Sequence, residues 1–139
     1  MNISHFSEEE NNLLNTYMTH ISLSRGETLF QPGEDADGVF FLERGRLGVQ
    51  TKTGFEDRQQ IVALLDPGAA VGERGLAFSG KRGMTVFAIE DSVVFYLSAG
   101  DFKTIEKAHP AMAVKMLKKL LGTTSLRLQA NSERLAHVL

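Results

Sequence analysis

Residues 26–49 read GETLFQPGEDADGVFFLERGRLGV, a stretch in which short runs of β-branched and aromatic residues are separated by Pro32-Gly33 and Arg44-Gly45. Short strands between such turn signals are typical of β-sandwiches, barrels and jelly rolls. The same alternation extends outward from His20 to about Ser98, and most of the glycines lie in this region, where tight turns require positive φ angles. We therefore predict an antiparallel, jelly-roll-like β-roll over residues 20–98.

A short amphipathic helix is predicted before the β-roll, over residues 7–19. Ser7 and Glu10 have the spacing of a capping box, in which each residue accepts a hydrogen bond from the backbone of the other. Leu13, Leu14, Tyr17 and Met18 follow at helical spacing.

Helices are also predicted after the β-roll, over residues 99–139. Ser98 and Asp101 indicate the start of a short helix, and Pro110 occupies the favoured first position of a longer amphipathic one. Gly122 falls inside the longer helix and is predicted to be either a close-packing point or a hinge. Together these patterns predict one domain over residues 1–139, mainly β with flanking helices.

The composition excludes several classes of protein. The net charge is −2, so no global field attracts nucleic acid, and without cysteine there is no disulfide or thiolate metal site. The four histidines lack the spacing of metal ligands, and no apolar run is long enough to span a membrane. We expect a cytoplasmic domain, soluble or part of a larger membrane protein, that has no metal or cofactor and binds no nucleic acid directly.

Residues 71–86, VGERGLAFSGKRGMTV, carry the chemistry. Glycines let the backbone approach a ligand closely, and the start of a new helical turn offers N–H groups to an anion. Arg82 adds a planar fork of donors that matches phosphate oxygens, and Glu73 can accept a hydrogen bond from a sugar hydroxyl. This combination predicts a site for a phosphorylated sugar with a free hydroxyl group.

Two rival motifs are incomplete in this sequence. Gly75 to Lys81 has the form of a nucleotide-triphosphate loop, but Arg82 follows where that motif needs Ser or Thr, and a strand is predicted where it needs a helix. Asp35, Asp37 and Gly38 imitate part of a calcium loop whose first and last ligands are missing. We interpret that acidic cluster as a solvated turn. No nucleophile motif is present, so an enzyme is not expected.

Residues 71–86 resemble the phosphate-binding cassette of the cyclic-nucleotide-binding family, which contains Gly-Glu, a helical turn and an arginine followed by small residues. Residues 26–49 are similar to the family's opening strands. The resemblance implies that Glu73 holds the ribose 2′-hydroxyl and Arg82 the cyclic phosphate. It assigns the ligand pocket to Val71, Gly72, Glu73, Gly75, Leu76, Ala77, Arg82, Gly83 and Met84. Thr123, Thr124 and Arg127 fall where the family has a lid over the nucleobase.

Some residues depart from the family pattern. Gly83 replaces a frequent Ser, Thr or Ala, and since a hydroxyl at that position favours cyclic GMP in some members, its absence favours cyclic AMP. Met84 replaces a usual alanine, and Arg74 follows the glutamate where an apolar residue is commoner. None of these changes removes an essential ligand group.

The resemblance implies a regulatory module that senses a cyclic mononucleotide and signals through its C-terminal helices to an effector domain or a partner protein. The stretch from Ala70 to Glu73 also resembles domains appended to bacterial sulfate-permease-like transporters, so a membrane transporter is one expected partner. A homodimer through the C-terminal helix is another arrangement that the resemblance implies. The alternative is a degenerate β-roll that binds another protein and no nucleotide. A cupin-like enzyme is a third hypothesis, but it needs a histidine cluster that the sequence lacks.

Overall fold

The computed structural model describes residues 3, 5–52 and 58–138. The sequence also predicts a turn at Gly54, which lies outside these residues. The chain forms two compact units that divide after Asp101. The elements are α1 (Glu8–Tyr17), β1 (Thr19–Leu23), β2 (Thr28–Phe30), β3 (Gly38–Arg44), β4 (Leu47–Lys52), β5 (Gln59–Leu65), β6 (Ala70–Val71), α2 (Arg74–Ala77), β7 (Thr85–Ala88), β8 (Ser92–Ser98), α3 (Ala99–Ala108) and α4 (Pro110–Val138).

The first unit contains two four-stranded sheets, with strand orders β1-β8-β3-β6 and β2-β7-β4-β5. Every strand pair within them is antiparallel. This arrangement confirms the predicted β-roll. Strand β6 is the one element that the sequence did not predict, because two residues are too few to show a hydrophobic period.

Both sheets contribute side chains to one apolar core, and burying each large aliphatic or aromatic side chain contributes about 1.5–3 kcal/mol. The core consists of Leu23, Phe30, Phe40, Leu42, Leu47, Val49, Leu65, Val71, Val86, Ala88 and Val94. Phe30 and Phe40 come from different sheets, and their ring centroids are 5.8 Å apart. The core therefore joins the sheets near the ends of β2 and β3, where the predicted site lies.

Helix α1 confirms the predicted capping box. Ser7 Oγ accepts a hydrogen bond from the Glu10 N–H at 3.1 Å, and Glu10 Oε1 accepts one from the Ser7 N–H at 2.9 Å. The helix ends at Tyr17, two residues before the predicted end, because Met18 adopts an extended conformation that leads into β1.

The C-terminal helices differ from the prediction in two details. Helix α3 begins at Ala99 instead of Asp101, although Ser98 Oγ does accept a hydrogen bond from the Asp101 N–H at 3.0 Å. Helix α4 runs without interruption through Gly122, and a β-carbon built there would meet no described atom within 4 Å. The close-packing interpretation of Gly122 is therefore wrong, and its role as a hinge stays a prediction. Within the described ranges, no helix has the length and apolarity needed to cross a membrane.

Candidate ligand-binding site

The site begins where β6 ends. Val71 is buried in the core, and Gly72 then turns the chain with a φ of +72°, a conformation that side-chain-bearing residues rarely adopt. Glu73 flanks the N-terminus of α2, a single helical turn. Phe78 ends that turn in an extended conformation, and the chain continues past Arg82 into β7. A strand therefore follows Arg82, which confirms the rejection of the nucleotide-triphosphate loop.

The backbone of Arg82 is held by the loop between β2 and β3. Its N–H donates to the Glu34 carbonyl at 2.7 Å, and its carbonyl accepts from the Gly33 N–H at 3.1 Å. Next to this pair, Asp35 and Lys81 form an isolated antiparallel bridge and an exposed ion pair. The position of Arg82 is thus determined by residues almost fifty positions earlier in the chain.

The side chain of Arg82 is almost fully buried, with 7% of its surface exposed. Its guanidinium donates one hydrogen bond from Nη1 to the Gly72 carbonyl and one from Nη2 to the Gly38 carbonyl, both at 2.9 Å. The guanidinium carbon lies 4.4 Å from the centroid of the Phe30 ring and 5.7 Å from that of Phe40. Neutral carbonyls and aromatic faces therefore support a buried cation in a fixed orientation.

The electrostatics of Arg82 favour an anionic ligand. Burial lowers the pKa of its guanidinium below the ordinary value, because a buried cation loses hydration. The nearby groups of Asp37, Tyr96, Glu34 and Glu73 act in the opposite direction and raise that pKa. An arginine stays protonated despite such shifts, so the site holds a desolvated positive charge.

Two glycines of the cassette are required by packing within the protein. A β-carbon at Gly72 would lie 2.5 Å from Arg82 Nη1, and one at Gly75 would lie 2.7 Å from the Gly38 nitrogen. The sequence predicted that both glycines let the backbone approach a ligand. The structure shows that Gly72 also makes room for the guanidinium and that Gly75 lets α2 contact β3, and the approach to a ligand stays a prediction.

The sequence predicts that the N–H groups of the helical turn are available to an anion, but in the structure two of them already donate to backbone carbonyls. The Gly75 N–H donates to the Gly72 carbonyl at 3.0 Å, and the Leu76 N–H donates to the Glu73 carbonyl at 3.1 Å. These bonds reach back three residues, as is frequent at the N-terminus of an α-helix, whereas the Phe78 N–H reaches back four residues to the Arg74 carbonyl. An anion at this turn would therefore share the N–H groups of Gly75 and Leu76 with backbone carbonyls.

The other predicted pocket residues differ in their exposure to solvent. Glu73 and Leu76 are partly buried, whereas Ala77, Gly83 and Met84 are exposed. Met84 has 45% of its surface exposed. The three predicted lid residues lie on α4, in the second unit, and their role as a lid stays a prediction. Thr123 Oγ1 donates to the Lys119 carbonyl at 3.0 Å within the helix.

Sequence reasoning missed four residues of this site: Phe30, Phe40, Asp37 and Tyr96. Asp37, interpreted as part of a solvated turn, is exposed, but its Oδ1 accepts a hydrogen bond from the Tyr96 hydroxyl at 2.6 Å. Only the pairing register of β3 and β8 brings Tyr96 to this position, and no local pattern in the sequence reveals that register. Among the described residues, no group of three His, Cys, Asp or Glu side chains could hold a metal ion.

The chain belongs to the cyclic nucleotide-binding domain family, whose model matches residues 20–109. It is 25% identical over 105 residues to the cyclic AMP receptor protein of Thermus thermophilus, covering 76% of this chain and 48% of that protein. It is 35% identical over 92 residues to the Pycsar effector protein PaPycTIR of Pseudomonas aeruginosa, covering 66% of this chain and 28% of that protein. The chain thus spans less than half the length of either relative.

Solved structures share the fold. A cyclic nucleotide-binding domain from Methylobacillus flagellatus superposes with a TM-score of 0.90 over 100% of this chain and 78% of that one, at 22% identity. The catabolite activator protein of Thermus thermophilus superposes with a TM-score of 0.78 over 97% of this chain and 61% of that one, at 21% identity. The family and the fold together define a regulatory, ligand-sensing β-roll.

Proposed function

We propose that this chain is a regulatory module, without catalytic activity of its own, that binds a cyclic mononucleotide and prefers cyclic AMP to cyclic GMP. One observation carries the proposal: the buried guanidinium of Arg82 donates both of its hydrogen bonds to neutral carbonyls. A buried charge is costly unless an opposite charge compensates it, and a ligand phosphate supplies that charge. The preference for cyclic AMP rests on Gly83, which offers no hydroxyl group to a guanine base.

In the proposed complex the phosphate lies against Arg82 and the ribose 2′-hydroxyl against Glu73. Both residues flank the same short turn, and the negative charge of Glu73 is close enough to raise the pKa of Arg82. Val71, Gly72, Gly75, Leu76 and Ala77 form the wall around them, and Gly83 and Met84 border the opening. The signal is proposed to leave through α3 and α4, with Gly122 as a hinge and Thr123, Thr124 and Arg127 as a lid.

The role of Glu73 predicts a specific dependence on the ribose hydroxyl. The wild-type chain is expected to bind cyclic AMP about 10–100-fold more tightly than 2′-deoxy cyclic AMP, because a hydrogen bond to a charged group contributes about 1.5–3 kcal/mol. The Glu73→Ala variant is expected to bind both nucleotides equally. Calorimetric titration of protein freed of carried-over nucleotide measures both ratios.

The exposed Glu90→Ala variant serves as the control and is expected to keep the wild-type ratio. Equal binding of the two nucleotides by the wild-type chain would contradict the role of Glu73. An absence of binding by either cyclic AMP or cyclic GMP would instead favour the degenerate β-roll that contacts another protein.

The partner that we propose for α4 is a second copy of this helix. Val114, Leu121, Leu128 and Leu135 recur every seven residues and are 50–68% exposed. Leu117 and Val138 are also exposed and fall three residues after members of this series. An apolar seam with a seven-residue repeat is typical of helices that pair in coiled coils. An effector domain or a membrane transporter outside this chain remains the proposed recipient of the signal.

Pairing through this seam predicts a dimer that one charge on each helix can disrupt. The wild-type chain is expected to sediment as a dimer at micromolar concentration, and the Leu121→Glu variant as a monomer, because a buried glutamate loses its hydration without a partner. Leu126→Glu provides the control, since Leu126 is 70% exposed but lies off the seam. A monomeric wild-type chain, or a dimer that survives Leu121→Glu, would refute this pairing.

A further inference from the structure

Asp37 is adjacent in the chain to a residue that binds Arg82, but its carboxylate is held by Tyr96. Asp37 directly precedes Gly38, whose carbonyl accepts the hydrogen bond from Arg82 Nη2 at 2.9 Å. The Asp37 side chain accepts its hydrogen bond from the Tyr96 hydroxyl at 2.6 Å. Asp37 is thus a carboxylate that the chain itself could place on the guanidinium, and in this structure it is hydrogen-bonded to Tyr96.

The position of Tyr96 is fixed by the sheet and by aromatic packing. In the antiparallel pairing of β3 with β8, Tyr96 lies opposite Phe40, and their ring centroids are 4.8 Å apart. The ring also covers Gly38 so closely that a β-carbon there would lie 2.5 Å from Tyr96 Cε2. The ring has little freedom to move, so its hydroxyl holds Asp37 from a fixed point.

A competition between two anions follows from this geometry. A buried arginine gains most from a charged partner, and a carboxylate of the same chain would satisfy it without any ligand. The charge of Asp37 is the largest of the influences that oppose the effect of burial on Arg82. A short hydrogen bond to a neutral hydroxyl reduces the tendency of that carboxylate to turn toward the guanidinium.

We propose that Tyr96 is a positioning residue of the ligand site: its hydroxyl holds the Asp37 carboxylate away from Arg82 and leaves the guanidinium available to the ligand phosphate. This inference rests on the proposed function. It adds a residue outside the cassette, on β8, to those that determine affinity. It also gives the exposed acidic turn before β3 a role in binding.

The test uses Tyr96→Phe, which keeps the ring and removes only the hydroxyl. Its affinity for cyclic AMP is expected to fall about threefold to fivefold, because an ion pair between the exposed Asp37 carboxylate and Arg82 competes with the phosphate by at most about 1 kcal/mol. The double variant Tyr96→Phe/Asp37→Asn is expected to return to within about twofold of wild type. Tyr17→Phe, which changes the other tyrosine of the chain, is the matched control and is expected to bind like wild type.

Three results would overturn the inference. The first is an unchanged affinity for cyclic AMP in Tyr96→Phe. The second is a loss of affinity in Tyr96→Phe that the added Asp37→Asn substitution does not reverse, because a purely structural effect of the hydroxyl would not depend on the charge of Asp37. The third is a loss of more than about threefold in Asp37→Asn alone, which would show that the carboxylate serves the ligand. This last variant keeps the inference testable even if Tyr96→Phe fails to fold.

A crystal structure of Tyr96→Phe separates this inference from the proposed function. We expect the Asp37 carboxylate to lie within about 4 Å of the Arg82 guanidinium in that variant, which is ion-pair distance. An Asp37 side chain that stays away from Arg82 would refute the inference whether or not the chain binds a nucleotide. A wild-type chain that binds no cyclic nucleotide would refute the proposed function alone.

Discussion

The Arg82→Ala variant is expected to bind cyclic AMP about 100–1,000-fold more weakly than the wild-type chain. The guanidinium is the buried cation of the site, and each hydrogen bond to a charged group contributes about 1.5–3 kcal/mol. The loss of two such bonds to the ligand phosphate therefore lowers the affinity by at least about two orders of magnitude. Calorimetric titration with cyclic AMP and cyclic GMP measures the loss. The comparison also shows which base the wild-type site prefers.

Controls are needed because Arg82 also contributes to the fold. Its removal takes one donor from the Gly38 carbonyl and one from the Gly72 carbonyl, which keeps the Gly75 N–H, so folding of the variant must be checked by urea denaturation. Arg82→Lys keeps the charge but loses the planar fork, and an intermediate affinity is expected. Arg25→Ala removes an exposed arginine in the β1–β2 turn and should bind normally. Unchanged affinity in folded Arg82→Ala would refute the assignment.

The Gly75→Ala variant is expected to lower the free energy of unfolding by about 2 kcal/mol. A β-carbon at this position would lie 2.7 Å from the Gly38 nitrogen and 3.2 Å from the Ala36 carbonyl carbon. These neighbours are backbone atoms that no side-chain rotation can move, so α2 must shift away from β3. Overpacking of this kind costs about 1–3 kcal/mol.

The sign of the Gly75→Ala effect distinguishes packing from helix propensity. Alanine is favoured over glycine in a helix by about 0.5–1 kcal/mol, so propensity alone would make the variant more stable. Gly80→Ala is the control, because a β-carbon at Gly80 meets no described atom within 4 Å, and its unfolding free energy should stay within about 0.5 kcal/mol of wild type. Urea denaturation measures both variants. A stabilised Gly75→Ala variant would contradict the close contact between α2 and β3.

The sequence predicted the features of the site that depend on local patterns. The capping box at Ser7 and the strands around residues 26–49 were correctly predicted, because each depends on residues that are close together in the chain. The Glu73–Arg82 cassette was located by its resemblance to a family, and the structure places both residues around one short turn. Their contacts with a nucleotide remain predictions.

Contacts that depend on the register between distant strands could not be predicted. Phe30 and Tyr96 reach the site from opposite sheets, and nothing near either residue in the sequence indicates that it faces Arg82 or Asp37. The contact of Gly75 with the Gly38 backbone could not be predicted for a similar reason. A glycine signals close approach, but the sequence does not reveal whether a ligand or the Gly38 backbone makes that approach.

The bonds that orient Arg82 join the cassette to residues 33–38, more than forty positions earlier in the chain. Closing so long a loop is entropically costly, so this arrangement forms only when the β-roll as a whole folds. A peptide that contains the cassette alone would therefore lack a preformed anion site. Because binding competence requires the complete roll, saturating ligand should stabilise the entire first unit, and amide hydrogen exchange should slow in β3 and β8 as well as around α2.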